Sequence, residues 1–184
     1  MKNNPVNNFI LGQKKNFDIA ADVASAWAEV RQEIVLGFLD RLDSHLKKTL
    51  KGWNTEREQI FYEDPWASFN FWKPSWDKQY SFGLVWREHG KEITFGVCRD
   101  KNIGRRPHCE DLLKAVASET QLPVKKNSYW EAQFYINNPA SDWSKPEALW
   151  PMHKETKFLD EVAGQLLDVV RISEPIVDGL VQKK

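Results

Sequence analysis

Residues 99–108, Arg-Asp-Lys-Asn-Ile-Gly-Arg-Arg-Pro-His, set four cationic side chains (Arg99, Lys101, Arg105 and Arg106) against one carboxylate. Planar guanidinium groups grip phosphate in bidentate fashion. A loop glycine lets backbone approach a ligand, and a following helix would add its N-terminal amides to the same anion. The segment is therefore the strongest local candidate for an anion or partner site, with Lys125 and Lys126 as neighbours. The alternative is an ordinary solvated connection between a strand and a helix.

A second chemistry is stacking. Trp66 and Trp76 fit the alternating pattern of their neighbours least well. With Lys73, Lys78 and Arg87 interleaved, they are the candidate platforms for unpaired bases. Core packing is the competing role for every aromatic at period two.

Cys98, His108 and Cys109 are of the types zinc prefers. Adjacent residues rarely both chelate, however, and His45, His89 and His153 fall in unrelated segments, so no metal is expected. Metal-dependent hydrolysis needs clustered carboxylates with a lysine on adjoining strand ends. The nearest string, Glu155-Thr156-Lys157, reads instead as charge at a helix start. Neither a Walker-type phosphate loop nor Gly-x-Ser-x-Gly occurs, and the expectation is a non-catalytic protein without a cofactor.

The elements that must position these groups follow from hydrophobic periodicity. Tyr80, Phe82, Leu84 and Trp86 alternate with Ser81, Gly83 and Val85, and after Gly90 the alternation resumes at Ile93, Phe95 and Val97. The two runs form an antiparallel hairpin. Strands are expected around 59–62 and 68–72. A further one has Trp130, Ala132, Phe134 and Ile136 on one face and Glu131, Gln133 and Tyr135 on the other.

Over 18–51, Val23, Trp27, Val30, Ile34, Phe38, Leu42, Leu46 and Leu50 recur at helical steps. This predicts a core-packing helix about 50 Å long if unbroken, bent near Gly37 and followed by Gly52 in a left-handed cap. The same stripe could instead belong to a dimerising coil. Helices are also expected over 108–119 and from 154 onward, with a turn near 146–149. Ser173-Glu174-Pro175 has the form of a cap and first-turn proline for a final piece.

The chain has 184 residues, with Lys plus Arg equal to Asp plus Glu at 26 each. That length suits one domain burying roughly 70% of its unfolded surface. The balance disfavours a protein that coats nucleic acid through its overall field. The reading is a loose polar leader over 1–16 and a single α+β domain over 17–184, with an antiparallel sheet of about five strands. The long N-terminal helix and a C-terminal helix pack on one face of that sheet. Two cysteines, no apolar signal-like run near Met1 and no 20-residue apolar stretch point to the cytoplasm, reduced thiols and no membrane contact.

From Asp64-Pro65-Trp66 to Cys98, above all in Phe69-Asn70-Phe71-Trp72-Lys73, Tyr80-Ser81-Phe82-Gly83-Leu84-Val85-Trp86 and Ile93-Thr94-Phe95-Gly96-Val97, the order of elements resembles the C-terminal region of some bacterial and phage proteins of the PD-(D/E)XK nuclease superfamily. There an aromatic meander follows the nuclease core. The likeness runs over 18–180 in element order, and the family's catalytic acidic residues and lysine have no matching positions. It implies a free-standing accessory region without cleavage activity. That region would engage a protein, or secondarily a nucleic-acid, component of a defence or nuclease system. The alternative is an immunity or antitoxin-type protein masking a cognate enzyme.

Overall fold

A computed structural model describes residues 4–57, 66–87, 90–103, 106–136 and 141–182, with the side chain of Trp66 outside that set. The expected strands near 59–62 and the residues Gly104 and Arg105 lie outside the described residues.

The fold is α+β: a five-stranded antiparallel sheet with a long N-terminal helix and C-terminal helices. Helix α1 (Pro5–Gly12) and helix α2 (Lys14–Thr49) lead into strands β1 (Asn54–Arg57), β2 (Trp66–Trp72), β3 (Tyr80–Arg87) and β4 (Glu92–Arg99). Helix α3 (Glu110–Thr120), strand β5 (Trp130–Tyr135), helix α4 (Pro146–Lys154) and helix α5 (Thr156–Gln182) complete the chain. The strands lie in sequence order, β1-β2-β3-β4-β5, a meander whose last connection carries α3. The β3–β4 hairpin pairs Tyr80 with Arg99 and Arg87 with Glu92.

The core side of the sheet is an aromatic ladder running across the strands. Phe71 stacks on Phe82 at 5.5 Å, Phe82 on Phe95 at 6.2 Å, and Phe95 meets Phe134 edge-on at 5.8 Å. Phe38 of α2 joins this layer to Trp143 and to Phe158 of α5, each at 5.6 Å. Cross-strand aromatic pairs of this kind each add roughly 0.2–1 kcal/mol to the burial term.

Three expectations need correction. Residues 5–12 of the expected loose leader are helical: Asn4 caps α1 by accepting from the amide of Val6 at 2.9 Å, and α1 is a regular helix from Pro5. Helix α2 runs unbroken through Gly37, but only its second half packs in the core, where Val35, Phe38, Leu39, Leu42 and Leu46 are buried. Val23, Trp27 and Val30 stay exposed, and Trp27 and Val30 only border a groove that Leu149 and Trp150 of α4 line from the other side. Lastly, Pro175 starts no new helix but lies inside α5. A proline there costs about 3 kcal/mol, and the apolar face of Val169, Val170 and Val177 buried on both sides of it outweighs that cost.

Lys73 fixes the β2–β3 connection to α5, reaching Glu174 at 2.5 Å and Asp178 at 2.6 Å, while the Trp76 indole donates to Asp178 at 2.7 Å. Burial opposes ionisation of Asp178, but the hydrogen bonds from Lys73 and Trp76 outweigh it and hold the carboxyl below its ordinary value. For Lys73, burial would lower the pKa, yet its bonds to Asp178 and Glu174 raise it. The Asp178 contribution is therefore present above the unfolded value near pH 4 and lost as pH falls through the depressed folded value. The Lys73 contribution is present below about pH 10 and lost as pH climbs through its raised value. Asp178→Asn should lower stability by about 1–2 kcal/mol near neutral pH. In urea titrations the gap to the parent should close in strong acid, and a gap independent of pH would contradict the assignment.

Candidate functional site

Arg99 and Glu131 face each other on the core side of adjacent strands, with side chains 0% and 1% exposed and 2.9 Å between Nη1 and Oε2. Arg99 also donates to the carbonyls of Ile103 at 2.5 Å and Arg106 at 2.7 Å, and its Nη1 lies 3.0 Å from Nδ1 of His108. The loop after β4 is thus wound around its own first cation. Glu131 takes the remaining role expected of a ligand, because its Oε1 accepts from the amide of Cys109, the residue that caps α3. The anion at this helix start is a carboxylate of the protein itself.

Arg99 is accordingly corrected from a ligand-facing cation to the internal anchor of the loop. Lys101 and Arg106 are exposed. Lys126 pairs with Glu110, and Lys125 lies 5.5 Å from the Tyr135 ring.

Glu131 reaches Arg99 because β5 carries a bulge. Val97 pairs with Ala132 and Cys98 with Trp130, which leaves Glu131 as the extra residue. A bulge of this kind turns a side chain to a face that strict alternation would deny it. It also sends Trp130 to the face opposite Ala132 and Phe134, where it clusters with Val85 and Cys98. The expected grouping of Trp130 with Ala132 and Phe134 is corrected by this one residue.

That second face of the sheet is a cleft. Its floor is made of small and polar groups: Ser68, Asn70, Ser81, Gly83 and Cys98. Its walls are aromatic, Trp72 on one side and Tyr129 and Trp130 on the other. A deeper cavity of about 140 Å³ runs over Asn70, Trp72, Ser81 and Cys98. A wider one of about 400 Å³ runs over Ser68, Val85, Asn127 and Trp130, and Tyr129 lines both. The wider cavity alone falls within the roughly 300–1,000 Å³ usual for small-molecule sites.

No family model, curated protein or solved structure matches this chain. The chemistry of the cleft must then be read from its own atoms. Asn70 is 5% exposed; its Nδ2 donates to Ser68 Oγ at 2.9 Å, while its Oδ1 is buried and accepts no hydrogen bond among the described residues. Such an orphan acceptor costs about 1–3 kcal/mol, which a ligand donor would recover. The lack of a Cβ on Gly83 lets these side chains settle on its backbone: one placed there would lie 2.5 Å from Cys98 Sγ and 2.9 Å from Asn70 Oδ1.

At the rim, Asp77 and Lys78 both adopt left-handed backbone, φ 48° and 55°. This strained turn holds Lys78 4.7 Å from the Trp72 ring and 2.7 Å from Glu56. Tyr129, 46% exposed, presents its ring at the mouth.

Of the two expected stacking residues, Trp76 is corrected: it is 0% exposed, with its indole bonded to Asp178 and its ring 5.2 Å from Trp53. The backbone of Trp66 pairs with Arg87 at the end of β2. Cys98 belongs to the cleft face, whereas Cys109 packs against the main core on the other side of the sheet, and neither forms a disulfide. No group of three metal-ligating side chains and no helix long and apolar enough to cross a membrane occurs among the described residues.

Proposed function

We propose that this chain is a non-catalytic binding protein of a bacterial or phage defence or nuclease system, and that it receives an unpaired base of a nucleic acid in the cleft behind its sheet. The observation that carries this reading is the buried, unbonded Oδ1 of Asn70 between aromatic walls. A flat ring seated in the wider cavity, with an amino group directed toward Asn70 in the smaller one, suits that arrangement. Its face rests on Tyr129, as bases rest on aromatic platforms in single-strand binders, and its exocyclic amine donates to Asn70. Lys101 stands one residue beyond Asp100, which lines the deeper cavity. With the exposed Arg106 it supplies the positive charge for the adjoining phosphates, leaving the basic loop the positioning role and the cleft the recognition role. The setting rests on the resemblance of the aromatic meander.

Fluorescence anisotropy with a labelled single-stranded oligodeoxyadenylate tests the reading, with the matching duplex as control. Tyr129→Ala should weaken single-strand binding by about 5- to 150-fold, the range that corresponds to 1–3 kcal/mol per stacked base. Lys101→Glu with Arg106→Glu should reduce the salt dependence by roughly 0.7 per phosphate contact removed. Binding that survives both Tyr129→Ala and Asn70→Leu, or a duplex held as tightly as the single strand, rules the proposal out.

A further inference from the structure

Eleven large apolar side chains are exposed among the described residues, and eight of them lie on α1 and the first half of α2. Isolated exposed apolar residues are ordinary, but a contiguous patch on one projecting element is the mark of an interface. Residues 14–34 of α2 extend about 30 Å at 1.5 Å per residue, and α1 folds back on their beginning, where Asn16 donates to the carbonyl of Phe9 at 2.8 Å. The two helices make an arm.

We infer that the arm pairs with the arm of a second copy of this chain, the two α2 helices running antiparallel. Three observations select that occupant. The first is the order of the stripe: Ile19, Val23, Ala26 and Val30, all exposed, are spaced four, three and four residues apart. That spacing reads the same in both directions. A two-fold axis beside the midpoint of Ala24 and Ser25 therefore sets Ile19 against Val30 and Val23 against Ala26, satisfying every position twice, as an isologous contact requires. Ala26 within the stripe lets the axes approach toward the close end of the usual 8–10 Å.

The second is charge. Lys15 stands at the free end of the arm, where Lys14 is already paired with Asp18 at 2.7 Å, and Glu33 stands toward the body. Antiparallel pairing brings Lys15 of one arm level with Ile34, beside Glu33, of the other, while parallel pairing would set each charge against its own copy.

The third is area. Two helices in contact over 30 Å fall short of the 1,200–2,000 Å² of a stable complex, so the arm alone does not suffice. The same two-fold axis carries the tip of each arm, with Phe9 and Leu11, to the level of Gly37 on the other copy. There a groove of about 640 Å³ opens between α2 and α4, walled by Trp27, Ile34, Leu149 and Trp150. Arg41 fixes the far end of the groove by donating to the Met152 carbonyl. Both grooves are filled at once, and Trp150, 64% exposed on the outer face of α4, is covered.

Light scattering after size exclusion tests this directly. The parent at tens of micromolar should show about twice the 21.5 kDa of one chain, and Val23→Glu with Val30→Glu should return it to the monomer mass with an unchanged circular dichroism spectrum. Orientation is read by oxidative cross-linking. A mixture of Ile19→Cys and Val30→Cys chains should yield the mixed disulfide. Ile19→Cys alone should not, since antiparallel pairing separates the two copies of residue 19 by about 16 Å along the axis, well beyond disulfide reach. A monomeric parent, a double variant that stays dimeric, cross-linking of residue 19 to itself, or a monomer that gains mass only with another protein present each overturns the inference. Tyr129→Ala leaves this mass unchanged, so failure of the nucleic-acid reading and failure of the dimer are told apart.

Discussion

Glu131→Ala is expected to lower the unfolding free energy by about 3–5 kcal/mol, the cost of stranding one charge of a buried pair. Against a total of roughly 5–15 kcal/mol for an ordinary domain, the loss takes the variant close to unfolding at 37 °C. The reason is local. Arg99 is 1% exposed and its guanidinium stands at the centre of the loop after β4, bonded to the carbonyls of Ile103 and Arg106. Without Glu131 the positive charge has no counter-ion at contact distance, and the amide of Cys109 loses its acceptor. Removing both charges is a different perturbation. Arg99→Met with Glu131→Leu fills similar volume without a charge to solvate, and such exchanges are often neutral or stabilising. The double variant should therefore recover most of the loss in urea titrations, while amide exchange over 101–109 stays fast because the loop has lost its anchor. A single substitution costing under 1 kcal/mol, or a double variant worse than the single, contradicts this account.

The same pair shows where sequence reading succeeds and where it stops. Period-two alternation in Tyr80, Phe82, Leu84 and Trp86 fixes a strand and its buried face, because burial on one side is a property each residue carries by itself. The hairpin, the length of α2 and the α+β class were legible for that reason. Arg99, by contrast, reads as a surface cation from its basic neighbours, and only its contact with a residue 32 positions later reveals it as buried. That contact depends on the bulge at Glu131, which no pattern in Trp130-Glu131-Ala132 announces.

The cleft was half legible. Ser81 and Gly83 stand between the large residues of β3, and small residues on an otherwise bulky strand leave room for something. Nothing local says that the room is walled by Tyr129 and Trp130, or that Asn70 keeps an unbonded, buried oxygen in its floor. The arm failed in the opposite sense: its apolar stripe is plain in the sequence, but periodicity cannot say whether the partner is the protein's own core.

Gly96→Ala carries the second large expected effect. A Cβ on Gly96 would fall 1.9 Å from the carbonyl oxygen of Ala132 and 2.9 Å from Cα of Gln133, both backbone atoms of the neighbouring strand. No rotamer relieves such a contact. Strand β5 must withdraw, opening the ladder that pairs Thr94 with Tyr135 and Phe95 with Phe134. Overpacking by one methyl in a compliant core costs about 1–3 kcal/mol, and a backbone obstruction belongs at or above the top of that range.

Two other glycines calibrate the result. At Gly83 the added methyl meets the side chains of Cys98 and Asn70, which can turn. The expected cost is about 1–2 kcal/mol, together with weakened binding in the cleft. At Gly164, inside α5 with nothing within 4 Å, alanine should stabilise by about 0.5–1 kcal/mol through helix propensity alone. The urea midpoints should rank Gly164→Ala above the parent, then Gly83→Ala, then Gly96→Ala. If Gly83→Ala proves the more damaging, the packing between β4 and β5 is looser than their register implies, and the bulge that turns Glu131 toward Arg99 loses its support.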